Sequence, residues 1–111
     1  EPGFYAAGLY CAAAVVDAAL KKASGKSDDR EAFTKVMKSV ELKDTPRGPM
    51  KFDHLGNVVG DFYIRHLEKA GGKYINKTVK TYKNVSQFWT YDEKKFLSQP
   101  VYSRNYPPLK S

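Results

Sequence analysis

"TPRGPMKFDHLGNVVGDFYIRHLE", residues 45–68, decides how the chain is read. Pro46 and Pro49 stop any helix that reaches them, because each lacks an N–H and clashes with the preceding turn. A short strand, Met50 to Asp53, is expected next. The turn "DHLGN" follows, with Gly56 or Asn57 supplying the positive φ it needs. A second strand is expected from Val58 to Glu68. In it Phe62, Ile64 and His66 fall on one face and Tyr63, Arg65 and Leu67 on the other. Neither face is purely polar, so both are expected to be partly covered. The stretch reads as a β-hairpin, carries no catalytic constellation, and is too patterned for a linker.

Upstream, residues 3 to 24, "GFYAAGLYCAAAVVDAALKKAS", predict a first helix rich in alanine. Asp17 and Lys21 lie four apart with the acid first, and Lys21 and Lys22 suit the negative end of the helix dipole. Gly25 is a stop. The first half is apolar on every side, and such a helix needs cover on more than one face. A chain of 111 residues with an irregular tail can hardly supply it. A second helix is expected over 28–41, started by Asp28 with Glu31 or by Ser27. Phe33, Val36, Met37 and Val40 form its apolar stripe.

Downstream, Gly71-Gly72 is a turn and "KYINKTVKTYK", 73–83, a third strand. Its lysines fall on both faces, which suits an edge strand guarded by charge. From Asn84 to Ser111 the pattern stops. Aromatics at 88, 89, 91, 96, 102 and 106 and prolines at 100, 107 and 108 make this tail too apolar for a solvated linker. It is expected to wrap over a surface. The boundaries that follow are 1–83 and 84–111. The fold class is α/β, or α+β for the chain taken alone: two helices, a β-hairpin, a further strand and an extended irregular tail.

Composition bounds the function classes. The chain has one domain's length, 41% hydrophobic and 28% charged residues, and a net charge of +7. Its first methionine is Met37, inside a helix, so it is expected to be a piece of a longer product. No run of lysines exceeds two, which describes a generally basic surface rather than a dedicated polyanion track. The single cysteine, Cys11, excludes an internal disulfide and reads as a buried, inert thiol. The apolar stretch Gly3 to Val16 is too short to span a bilayer, and Glu1 in front of it is the wrong sign for a secretory leader.

The chemistry sought is not found. There is no Gly-x-Ser-x-Gly elbow, phosphate loop or dinucleotide fingerprint. His54 and His66 lack second ligands at helical spacing, so no metal is expected. "DHLGNVVGD" lacks the alternating acids of a calcium loop. Asp28-Asp29 and Asp92-Glu93 read as solvated surface, and the sequons at Asn76 and Asn84 matter only in a eukaryotic secretory protein. Tyr74 and Tyr82, taken on one face of the third strand with Lys80 between them, leave a small basic nucleic-acid-binding module as the alternative.

The order "FYAAGLYCAAAVVDAAL", "DREAFTKVMKSVEL", "TPRGPMKFDHLGNVVGDFYIRHLE" resembles the C-terminal region of bacterial type I periplasmic solute-binding proteins of the branched-chain amino-acid family, the extracytoplasmic receptors of ABC importers. The matching points are Tyr5-Ala6-Ala7 at a helix start, an amphipathic second helix, and a Gly48-Pro49…Phe52-Asp53 strand with a Gly-Asn turn and a returning strand. The tail resembles that of a proteobacterial subgroup.

The resemblance implies a two-lobed fold closing on a ligand, with residues 3 to about 60 in one lobe and 61–68 approaching the hinge. It implies a binding protein, not an enzyme, with no cofactor. Its partners would be a small-molecule solute (an amino acid or an aromatic carboxylate), the remainder of the parent protein and an ABC permease in the inner membrane. Nucleic acid is not among them, the location is the periplasm, and the piece alone is expected to form a homo-oligomer. Phe4 and Tyr5 are the ligand-binding residues it implies, as an aromatic wall; Asp61, Phe62 and Tyr63 are expected to be structural.

Overall fold

In the computed structural model, residues 3–106 are described. They form α1 (Phe4–Lys22), α2 (Arg30–Lys38), β1 (Met50–Phe52), β2 (Val58–Ala70), β3 (Lys73–Val85) and α3 (Glu93–Leu97). The strands make one antiparallel sheet in the order β1-β2-β3, so the expected hairpin and the edge position of the third strand are both present. Pro107 and Pro108 of the expected tail lie outside the described residues.

Helix α1 runs from Gly3, which caps it without a side chain, to Ala23. It ends because Ser24 and Gly25 turn left-handed at φ 52° and 78°, and the Gly25 N–H donates back to Leu20 O at 2.8 Å. The Asp17–Lys21 pair forms at 2.7 Å, but both groups are well exposed, so it contributes only a few tenths of a kcal/mol. Helix α2 is shorter than expected. Its cap is Asp29, not Asp28 or Ser27: the Asp29 carboxylate accepts the Ala32 N–H at 3.0 Å. It closes at Ser39, whose hydroxyl donates to Val36 O at 2.7 Å and accepts Lys22 Nζ at 2.8 Å, fastening the two helix ends together.

One stripe of α1 carries the core. Cys11, Val15 and Ala19, four apart, are buried, and Val15 and Ala19 meet Val40 with Phe33, Val36, Met37, Leu42, Met50 and Phe52 around them. The other apolar stripe, Tyr5, Leu9, Val16 and Leu20, stays in solvent, with Leu9 74% exposed. By length and composition the 19-residue helix could cross a membrane. This corrects the reading taken from residues 3–16, because the helix continues through Asp17 to Lys22. Its buried stripe nonetheless packs on protein.

After α2 the chain pairs back on itself, Leu42 bridging Met50 through two hydrogen bonds of 2.8 and 2.9 Å. The intervening turn is locked by Thr45, whose hydroxyl donates to Gly48 O at 2.7 Å. Gly48 sits at φ 84°, and a Cβ there would collide with the Tyr63 hydroxyl. Alanine at this point costs on the order of 1 kcal/mol or more.

In the β1–β2 turn the positive φ falls to Gly56, at 91°. Asp53 organises this turn. Its Oδ1 accepts the Leu55 and Asn57 N–H groups at 3.0 and 2.8 Å, and its Oδ2 accepts Gln87 Nε2 at 2.7 Å. Gly71 and Gly72, both left-handed, close the two-residue β2–β3 turn.

β1 pairs only with Val58–Gly60, so beyond Gly60 the β2–β3 ribbon projects with two open edges. Phe62, Ile64, Leu67, Tyr74 and Val79 on it are exposed, contrary to the expectation of partial cover on both faces. The radius of gyration, 18.6 Å, exceeds the about 13 Å of a compact domain of this length.

Two register shifts punctuate the ribbon. At the first, Asp61 on β2 faces Lys83 and Asn84 on β3, and Asp61 Oδ1 accepts the Asn84 N–H at 3.0 Å. At the second, Ile64 pairs with Lys80 but Arg65 with Thr78, leaving Val79 as the extra residue. This bulge reverses the alternation of β3, so Tyr82 and Lys80 lie on the Phe62–Ile64 face while Tyr74 lies on the Arg65–Leu67 face. The two tyrosines expected to share a stacking face do not share one, which removes the geometric basis of the nucleic-acid alternative.

The tail packs on the base of its own hairpin. Phe88 is buried, Tyr82 meets Trp89 edge-on at 5.4 Å, and Phe96 meets Phe88 at 5.8 Å. Asp92, accepting the Lys95 N–H at 2.7 Å, caps the short helix α3, which the sequence pattern did not show. The wrap is partial, since Tyr91 and Tyr102 remain 70% and 82% exposed.

The Asp53 carboxyl is held below its ordinary value of 3.8. Desolvation acts to raise it, but the hydrogen bonds from Asn57, Gln87, Leu55 and Gly56 outweigh that. A depressed carboxyl stabilises the fold above its unfolded value and loses that contribution as pH falls through the lowered folded value. The amides of Leu55 and Asn57 should therefore keep their exchange protection down to pH 3.8 and lose it below. Asp53→Ala should abolish the protection at every pH, as amide exchange by NMR would show. Protection that is flat through this range would contradict the role given to Asp53.

Candidate functional site

Three segments converge beside the N-terminus of α1. Phe4, Ala6, Ala7 and Tyr10 come from the first turns of the helix. Pro46 and Arg47 come from the Thr45–Gly48 turn, and Asp61, Phe62, Tyr63 and Arg65 from β2 where β1 has ceased to cover its edge. Together they line an open groove of about 910 Å³.

Local structure places each group. Thr45 and the left-handed Gly48 hold the turn that presents Arg47. The bare β2 edge lets residues from both sheet faces reach the groove, and Gly48 lies against the Tyr63 hydroxyl at its floor.

The walls are aromatic and the charges are mixed. The Arg47 guanidinium lies over the Phe4 ring, 4.6 Å from its centroid, and that of Arg65 lies 5.8 Å from the Tyr63 centroid. Among the described residues neither arginine forms an ion pair. Asp61, the one acid in the groove, already serves Asn84 N–H at the bulge. An arrangement of this kind can hold a flat apolar body and offer donors to an anionic end. No cluster of metal-ligating side chains occurs among the described residues.

Of the two expected site residues, Phe4 lines the groove and Tyr5 does not. Tyr5 is 85% exposed and touches Phe4 edge-on with its ring, 5.7 Å away. Asp61, Phe62 and Tyr63, expected to be structural, are part of the lining. Arg47, Arg65 and Tyr10 were not anticipated. The signal for Arg47 was its place inside Pro46-Arg47-Gly48-Pro49, a turn stiff enough to aim a side chain. For Arg65 and Tyr10 nothing in the periodicity distinguishes them from their neighbours.

No protein-family model and no curated protein matches the chain. Solved structures do. An ABC-transporter solute-binding protein from Rhodopseudomonas palustris BisB5, in complex with 3,4-dihydroxybenzoic acid, is 34% identical with a TM-score of 0.70, over 78% of this chain and 23% of its own. An ABC-transporter substrate-binding protein from Sphaerobacter thermophilus is 25% identical with a TM-score of 0.69, over 75% and 23%. A solute-binding protein from R. palustris HaA2, in complex with p-hydroxybenzoic acid, is 28% identical with a TM-score of 0.60, over 71% and 21%. The chain thus spans under a quarter of the length of these proteins. Over the residues that match, the chain is thus similar to a segment of the solute-binding proteins of ABC transporters, in agreement with the resemblance read from its sequence.

Proposed function

We propose that the chain is part of an extracytoplasmic solute-binding component of an ABC importer, acting by binding rather than catalysis, and that its solute is an aromatic carboxylate. The observation that carries this reading is the 34% identity to a protein whose structure holds 3,4-dihydroxybenzoic acid. The second relative with p-hydroxybenzoic acid and the aromatic lining of the groove support it. Branched-chain amino acids gain no support from these relatives.

In this reading Phe4 supplies one wall and Tyr5 buttresses it from behind. A solute touching both lobes favours the closed form, by no more than its differential affinity for the two forms. A permease in the inner membrane then reads closure, and the whole works in the periplasm. The remainder of the parent protein covers the bare faces of α1 and the ribbon.

Calorimetric titration of the full-length protein that carries this chain tests the solute. 4-Hydroxybenzoate and 3,4-dihydroxybenzoate should bind and leucine should not; binding of leucine alone would overturn the reading. Phe4→Ala should weaken the aromatic acids roughly tenfold, as for loss of one aromatic contact, whereas Tyr5→Ala should change them by less than about threefold.

The 111 residues alone should be at least a dimer in sedimentation velocity at micromolar concentration, because the Leu9–Val16–Leu20 stripe and two strand edges are open. A clean monomer would count against this.

A further inference from the structure

We propose that Arg47 recognises the carboxylate of the solute and so sets the preference for acids over neutral aromatics. The inference rests on the aromatic-acid reading above and adds to it the residue responsible. Four observations converge on Arg47.

First, it is in the right place: its guanidinium lies over Phe4, inside the groove lined by Phe62, Tyr63 and Tyr10. Second, its backbone is fixed. The Thr45 hydroxyl accepts the Arg47 N–H at 3.1 Å and donates to Gly48 O at 2.7 Å, and Pro46 and Pro49 flank the turn. Third, no carboxylate among the described residues satisfies it. Asp61, the acid in the same groove, is held by the Asn84 N–H on β3.

Fourth, the chemistry fits. A guanidinium stacked on a ring keeps its in-plane N–H groups free, and those are the donors that match the two oxygens of a carboxylate. Lysine, as a point charge on a flexible stem, would supply the charge without that match. Phe4 therefore serves twice, as a wall for the solute's ring and as a platform that orients the cation. Arg65, beside Tyr63, is the second cation of the groove but lacks a comparable turn to hold it.

The experiment compares an acid with its neutral isostere in the full-length protein, by calorimetric titration of 4-hydroxybenzoate and 4-hydroxybenzamide. Arg47→Gln should weaken 4-hydroxybenzoate roughly ten- to hundredfold while moving 4-hydroxybenzamide by less than about threefold. Arg47→Lys should recover part of the loss, and circular dichroism should show both variants folded.

Equal weakening of both ligands by Arg47→Gln would mean that Arg47 only packs on Phe4, and would overturn the proposal. So would unchanged binding of the acid, or a selective loss that appears in Arg65→Gln instead. In each of those cases binding of the acid by the unsubstituted protein leaves the solute reading standing. Failure of the unsubstituted protein to bind any aromatic acid would remove both.

Discussion

The structure depends on one packing contact, the Cys11–Val15–Ala19 stripe of α1, whose Val15 and Ala19 rest on Val40 and the apolar side chains of α2 and β1. Small residues at 15 and 19 let the helix approach closely, and the Lys22–Ser39 hydrogen bond fixes its far end. That contact sets the direction in which the N-terminus of α1 leaves the core. It therefore decides where Phe4 meets Arg47 and the start of the β2–β3 ribbon. The groove is a consequence of how the helix is seated, and not a separate construction.

The same contact explains what is missing. A helix with a second apolar stripe at Tyr5, Leu9, Val16 and Leu20 buries only one of its two faces among the described residues. The ribbon poses the same problem, since a two-stranded antiparallel ribbon with open edges is marginal in water. Both surplus surfaces make physical sense in a polypeptide several times longer, and the matched structures are of that size.

Much of the fold was legible because it rests on strong local signals. Pro46 and Pro49 ended the helical region, Gly56 and Gly71-Gly72 marked turns, and the lysines of β3 marked an edge. What the pattern hid were features of one or a few residues. The Val79 bulge reverses the face of every residue beyond it, and nothing in "KYINKTVKTYK" announces it. Helix α3 has five residues, too few to show a 3.6-residue period, although Asp92 is a good cap. At the site, Phe4 and Tyr5 were implied by the family resemblance alone, and of the two the groove takes in Phe4. Arg47, despite its stiff turn, and Arg65 were not anticipated, because an arginine in a turn or on a strand reads as solvated surface until its neighbours in space are known.

The central claim is that the Leu9–Val16–Leu20 side of α1 is an interior surface of a larger fold. The most direct measurement is the stability of the full-length protein carrying Val16→Asp, by denaturant unfolding. The account predicts a loss of roughly 3 kcal/mol or more, the cost of an unpaired charge in a packed interface. A change within about 0.5 kcal/mol, as for an ordinary surface position, would contradict it.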